Sequence, residues 1–199
     1  MLSNKKKQQI GLFFGSFNPI HLGHLIIANY IVENDFVDKI WFVVSPHNPL
    51  KNSQELLEEE HRLKLVKLAI RNNKKFSACD VEFYLPKPSF TINTLNYLKE
   101  KHKNNEFSII IGEDNLESFE KWKDYKDIIK DYRIIVYPRP KNISNKFGKT
   151  TTIQRINAPE IEISSTLIRD NIRNKKSIQY LLPESVRREI EKNKYYCNS

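Results

Sequence analysis

No apolar run in this chain approaches the roughly 20 residues that a membrane-spanning helix needs, which argues against a helical membrane protein. Cysteine is nearly absent: Cys79 and Cys197 stand far apart with no C-x-x-C pattern, so neither a disulfide framework nor a cysteine metal site is expected, and a reducing compartment fits. The chain also lacks both G-x-G-x-x-G and G-x-x-x-x-G-K-[ST], which removes the dinucleotide fingerprint and the Walker loop; any nucleotide must be held another way. There is no internal repeat and no low-complexity tract. Nor does an apolar stretch of signal-peptide length follow Lys5–Lys7, because Asn18, Pro19 and His21 interrupt it, so a cytoplasmic location is expected.

What is present suits one folded unit. At 199 residues, with 39% hydrophobic and 29% charged residues, the chain can build one substantial core, and a single domain over residues 1–199 is expected, with 1–9 a flexible basic N-terminus. The net charge of +9 is spread in short groups such as Lys74-Lys75, Lys175-Lys176 and Arg187-Arg188, so most of it reads as solvated surface. A positive field would also steer anionic substrates.

Strand-like runs alternate with helical patterns. Ile10–Phe14, Lys39–Val44, Phe76–Val81, Phe107–Ile111 and Tyr132–Tyr137 read as strands, with helices over about Gln54–Arg71 and over Thr91–Lys101. Pro138–Thr152 reads as a surface loop. Short strands at Ile153–Asn157 and Glu160–Ile163 then lead to helices from about Thr166 and about Glu184. The pattern implies an α/β fold: a Rossmann-like, doubly wound domain with a mainly parallel sheet and a C-terminal helical portion. In such sheets ligands bind beyond the carboxyl ends of the strands, so motifs that follow strands should converge.

The densest motif is Gly15-Ser16-Phe17-Asn18-Pro19-Ile20-His21-Leu22-Gly23-His24, which connects the first strand to a helix beginning near Leu22. A helix N-terminus attracts anions through its free N–H groups and its dipole, and two imidazoles there add donors for phosphoryl oxygens. Gly15 and Gly23 would let the backbone approach a ligand closely. Taken alone, a histidine there reads first as a cap or a core side chain. The surrounding glycine, proline and HxGH pattern turns the reading toward phosphate. Two histidines without a third ligand make a poor metal site, so no protein-held metal is expected.

This segment resembles the signature of the nucleotidyltransferase superfamily, roughly GGxFDPxHxGH in its pyridine-nucleotide branch. Phe14 stands in place of a glycine and Asn18 in place of the usual aspartate. A second segment, Ile163-Ser164-Ser165-Thr166-Leu167-Ile168-Arg169, resembles the superfamily's ISSTxIR signature. Its hydroxyls alone could be helix caps. The resemblance implies that they, the helix N-terminus and Arg169 bind nucleotide phosphates, a task that suits the planar guanidinium fork.

Further segments narrow the resemblance to bacterial nicotinate-nucleotide adenylyltransferases, over nearly the whole chain. Asn48-Pro49-Leu50-Lys51 stands where that family has PPHK, keeping the cation at Lys51 while Leu50 replaces a histidine for which His47 is a spatial candidate. The helix that carries His61 to Ile70 reads chiefly as a packing element. Pro88-Ser89-Phe90-Thr91, Ile110-Ile111-Gly112-Glu113-Asp114 and Lys121-Trp122-Lys123 resemble PSYT, IIGxD and the family's KW site. Trp122 alone would read as a half-buried core residue. The resemblance instead implies that Ser89, Thr91, Trp122 and Lys123 surround the pyridine ring and its carboxylate, with Gly112 and Asp114 against the nucleotide sugar.

The implied reaction transfers AMP from ATP to nicotinate mononucleotide, forming nicotinate adenine dinucleotide and pyrophosphate. His21, His24, Lys51 and Arg169 would act on the reacting phosphates; Gly15, Ser16, Phe17, Asn18, Gly23, Ile163, Ser164, Ser165 and Thr166 would hold ATP. Mg²⁺ would be bound mainly through ATP phosphates. The alternatives are nicotinamide mononucleotide or phosphopantetheine as acceptor, or a noncatalytic nucleotide- or RNA-binding protein, although no RRM-like or KH-like signature is present. Neither a nucleic-acid nor a membrane partner is expected, and a homo-oligomer is left open.

Overall fold

A computed structural model describes residues 6–46, 56–139, 147–148 and 150–197. Six parallel strands form one sheet: β1 (Gln8–Gly15), β2 (Lys39–Val44), β3 (Phe76–Cys79), β4 (Asn105–Gly112), β5 (Arg133–Tyr137) and β6 (Ile153–Arg155), in the spatial order β3-β2-β1-β4-β5-β6. This is the doubly wound order expected of a Rossmann-like sheet. β1 includes Gln8 and Gln9, which the sequence reading had assigned to the basic N-terminal segment.

Period-2 alternation sorts the core. Ile10 and Leu12 of β1, Ile109 and Ile111 of β4, and Ile134 and Val136 of β5 pack on one face, against α3 (Thr91–Lys101), α4 (Glu113–Glu117) and α5 (Tyr125–Asp131). Phe13, Ile110, Ile135 and Tyr137 point to the other face, where α1 (Leu22–Glu33), α2 (Glu59–Ile70), α6 (Ser165–Arg173) and α7 (Glu184–Asn193) cover them. Strands buried on both faces read as near-continuous apolar runs, which is why the central ones were readable from sequence.

One expected strand does not form. Glu160–Ile163 runs as an irregular connection into α6, beyond the β6 edge. Its Glu-Ile-Glu-Ile alternation reports only which side chains turn inward: Ile163 packs on the α1 side of the core and Ile161 lies beside Gly23. The sequence also gave no warning of α4, of α5, or of the one-turn 3-10 helices at Val81–Phe83 and Phe119–Lys121. Among the described residues, no helix is long and apolar enough to cross a membrane.

Strand order reverses between β1 and β4, which are hydrogen-bonded neighbours whose connections leave toward opposite edges of the sheet. Their carboxyl ends, Gly15 and Gly112, therefore open the crevice where an α/β sheet binds ligands.

Candidate active site

Two adjoining cavities occupy this crevice and share Phe13 and Tyr137 as walls. The larger, of about 220 Å³, is lined by six of the residues singled out from sequence: Gly15, Ser89, Thr91, Gly112, Trp122 and Lys123. The smaller is lined by His21, Gly23 and His24 together with Arg139 and Ile161. The first signature thus lines both cavities, whereas residues 163–169 line neither.

The histidine pair is built by the start of α1. His21 is its N-cap, with extended backbone, and His24 lies one turn on, its ring stacked on that of His21 at 3.7 Å between centroids. The His21 N–H donates to Nδ1 of His24 at 3.3 Å. Neutral His24 must then carry its proton on Nε2, which makes Nε2–H a donor. Phe17 and Phe13 hold the same ring edge-on, at 5.1 and 5.9 Å. Gly23 makes the stack possible, because a Cβ there would stand only 3.0 Å from Nδ1 of His21.

His21 is 3% exposed, and burial together with the nearby Arg139 charge lowers its pKa from 6.5 to about 3. It is neutral at physiological pH in the free protein. The unfolded chain takes up this proton near pH 6.5 and the folded one only near pH 3, so stability is intact above the first value and is lost progressively as pH falls toward the second. The full loss is a few kcal/mol, at about 1.4 kcal/mol per pH unit traversed. Urea midpoints should therefore fall between neutral pH and about pH 4, and His21→Asn should make that fall smaller. An equal fall in both proteins would remove His21 as the cause.

The loop before α1 differs from the expectation of a glycine turn. Phe17 takes the left-handed conformation, at φ 44°, and its side chain is buried beneath Gly15. Phe17 thus offers a ligand only its backbone, and its ring serves the core. Asn18 is 5% exposed, and its Oδ1 accepts from the Leu57 N–H at 3.1 Å, an acceptor role that the usual aspartate could also fill. The Ser16 carbonyl faces inward and accepts from Arg62 at 2.7 Å.

The second motif is tied to this loop. Ser164 caps α6, its Oγ accepting from the Leu167 N–H at 3.1 Å. The Ser165 hydroxyl donates to the Pro19 carbonyl at 2.9 Å, Arg169 Nη1 donates to the Asn18 carbonyl at 2.9 Å, and Arg169 Nη2 reaches Thr166 Oγ1 at 3.5 Å. Ile163 is half-buried in the core. These side chains therefore clamp α6 onto the first motif, and with the Leu167 N–H taken by the cap the helix-start donors left at this end are those of Ser165 and Thr166.

On the other side, α3 begins at Thr91 with no side-chain cap, so its positive end opens on the larger cavity. Trp122 leans on Phe119 at 4.9 Å, and the Lys123 ammonium lies 4.9 Å over the Phe90 ring. Asp114 is exposed at the end of β4, near Arg139 at 3.8 Å. A Cβ on Gly112 would collide with the Asp114 carboxylate and press on Arg139 and Tyr137 at 3.2 Å each. Lys51, His47 and Leu50 lie outside the described residues.

Three functional candidates had no motif to announce them. Arg139, just past β5, stands over the Tyr137 ring at 5.2 Å beside the histidine pair, a cation where phosphates would converge. Glu82 is a buried acid in the wall of the larger cavity. Arg62 is fully buried and donates to four backbone carbonyls of the loops around the site. Arg62 alone left a trace in the sequence: it shares a helix face with Val66 and Ile70, where a cation is out of place unless every donor is used.

Comparison with known proteins agrees with this geometry. Residues 12–171 match the cytidylyltransferase-like family. The chain is 51% identical to a probable nicotinate-nucleotide adenylyltransferase of Flavobacterium psychrophilum, over 94% of this chain and 98% of that one. It is 48% identical to one so described from Cytophaga hutchinsonii, over 96% and 99%. Among solved structures, Plasmodium falciparum nicotinic acid mononucleotide adenylyltransferase complexed with NaAD superposes with a TM-score of 0.80 at 22% identity, covering 95% of this chain and 97% of that one; at that identity the likeness speaks for the fold. With the family match spanning both signature motifs and relatives near half-identical end to end, the chain belongs to the nicotinate-nucleotide adenylyltransferase family of cytidylyltransferase-like nucleotidyltransferases.

Proposed function

We infer that the protein transfers AMP from ATP to nicotinate mononucleotide, giving nicotinate adenine dinucleotide and pyrophosphate. The observation that carries this reading is the junction of the two cavities: an aromatic, helix-terminated pocket for a pyridine carboxylate opens beside a histidine and arginine pocket for phosphates. An oxygen of the acceptor's phosphate attacks the α-phosphorus of ATP in line. As that P–O bond forms, the bond to the β-phosphate oxygen breaks and its electron pair leaves with pyrophosphate. An ionised phosphate needs no strong base, so the protein's work is positioning and charge stabilisation.

Nε2–H of His24 donates to the oxygens of the reacting phosphate, and the N–H groups of Gly23 at the start of α1 and of Ser165 and Thr166 at the start of α6 add backbone donors. His21 enters neutral, because burial and the Arg139 charge lower its pKa to about 3, and an anionic phosphate beside it would oppose that shift. Arg139 supplies a guanidinium in the lining of the histidine pocket, Lys51 adds a cation, and Arg169 holds the Asn18 carbonyl and so the shape of the segment before α1. Mg²⁺ would be held mainly by phosphate oxygens and water. When bound there, the ion neutralises charge on the departing pyrophosphate.

In the larger cavity the Trp122 face stacks on the pyridine ring while the α3 amides at Thr91 and the backbone after Trp122 meet its carboxylate. Trp122→Ala should raise KM for the pyridine nucleotide about tenfold or more, since stacking on an aromatic contributes roughly 1–3 kcal/mol. Because stacking is shared by ground and transition states, kcat should change little. A KM effect confined to ATP would move Trp122 to the other half of the site.

The decisive measurement is pyrophosphate release with ATP and Mg²⁺, comparing nicotinate mononucleotide with nicotinamide mononucleotide. The acid is expected to show much the higher kcat/KM. Equal use of both acceptors would keep the chemistry and remove the carboxylate pocket; release with neither would overturn the reading.

A further inference from the structure

Among the described residues, Glu82 is the only acidic side chain in the lining of the larger cavity, which it shares with Thr91 and Trp122. It is 2% exposed, and its Oε1 accepts from the Thr94 hydroxyl of α3 at 2.9 Å. Among the described residues Oε2 has no hydrogen-bond partner. A buried carboxyl oxygen without a donor is costly when ionised and is a competent donor when it carries the proton. Nothing in the reaction just described uses it.

We propose that Glu82 reads the ring substituent of the acceptor through one proton: protonated, it donates to the carboxylate of nicotinate mononucleotide, and ionised, it repels that carboxylate and accepts from a carboxamide N–H₂. This rests on the proposed function and adds a specificity-determining residue to it. Two carboxyl groups in one small cavity cannot both ionise cheaply, so the acid ligand and Glu82 hold a single proton between them. A carboxamide brings its own donors, and it pairs better with the anion.

The surroundings suit the role. Burial pushes the Glu82 carboxyl above its ordinary value, against the opposing pull of the Thr94 hydroxyl and of the nearby Ser45 hydroxyl, which makes no hydrogen bond to Oε2. The other groups facing it are few. Cys79, on the preceding strand, is pushed up to about 11 by burial, and burial raises the Tyr137 hydroxyl too, so both stay neutral through the working range. Asp80 adds a second acid beside Cys79, and Lys121 and Lys123 line the same cavity as cations.

The test is the ratio of kcat/KM for nicotinate mononucleotide to kcat/KM for nicotinamide mononucleotide, measured from about pH 6 to about pH 9. Both acceptors carry the same phosphate and meet the same histidines, so those titrations cancel in the ratio. In the native protein the ratio should fall as pH rises, by up to about tenfold per pH unit beyond the Glu82 midpoint. Glu82→Gln, which keeps the shape and whose N–H₂ stays a donor to the carboxylate at every pH, should give a ratio flat with pH and above the native ratio at alkaline pH. A native ratio that does not change with pH overturns the proposal, as does a Glu82→Gln ratio with the native slope. Should Glu82→Gln fail to fold, the native profile still decides. Failure of the acid acceptor to react at any pH would count against the reaction itself, not against Glu82.

Discussion

His24→Ala should lower kcat by on the order of 100-fold, the loss seen when one preorganised donor to a developing oxyanion is removed, with KM for either substrate changed far less. His24 is held on several sides, by the His21 stack, by two phenylalanine rings and by the His21 N–H on Nδ1, so Nε2–H points in one direction before any ligand arrives. Ordering that group costs nothing at the moment of reaction, which is why its contribution should appear in kcat. The fold should survive, since the His24 ring is only half-buried and lines the crevice, and its capping hydrogen bond is worth about 1 kcal/mol. A folded His24→Ala protein with near-native turnover would remove the imidazole from the chemistry. His21→Ala is a poorer probe, because that ring is buried and its loss leaves a cavity in the core.

Much of this site was legible because chemistry imposes residue types at fixed offsets. His21 and His24, Thr91, Gly112 and Trp122 were placed from short motifs, and the sheet brings them to one end because each motif follows a strand or opens a helix. What the motifs hid was the use made of each atom. Ser165 and Arg169 read as phosphate ligands, yet their donors fasten α6 to the carbonyls of Pro19 and Asn18, so one motif acts partly by holding the other. Phe17 read as part of the phosphate loop, yet its ring fills the core beneath Gly15. Arg139 and Glu82 went unseen because each depends on which strand ends and turns lie side by side, and that is a property of topology rather than spacing.

Arg62→Met should destabilise the protein by about 3–5 kcal/mol, the range for removing one partner from a buried charged arrangement. Arg62 is fully buried, and no carboxylate bonds to it among the described residues; its guanidinium stays charged, its donors taken by carbonyl oxygens and its charge aided by the Glu59 carboxylate nearby. Nε donates to the Leu57 carbonyl at 2.7 Å, Nη1 to those of Ser16 and Ser45 at 2.7 Å each, and Nη2 to that of Pro46 at 3.0 Å. Three loop segments thus meet on one planar fork: the phosphate loop, the end of β2 and the entry to α2. Methionine fills similar space and leaves all four carbonyls without donors, at about 1–3 kcal/mol for each that stays buried. Arg62→Lys should fall between, because one ammonium cannot reach four acceptors spread around a plane. Urea midpoints would measure the stability loss. Turnover below the melting range of both proteins would show whether the phosphate loop also loses its shape, and a drop in kcat for Arg62→Lys while it remains folded is the expected sign. An unchanged urea midpoint for Arg62→Met would mean that water or a neighbouring side chain replaces the fork, and that the four carbonyls do not depend on it.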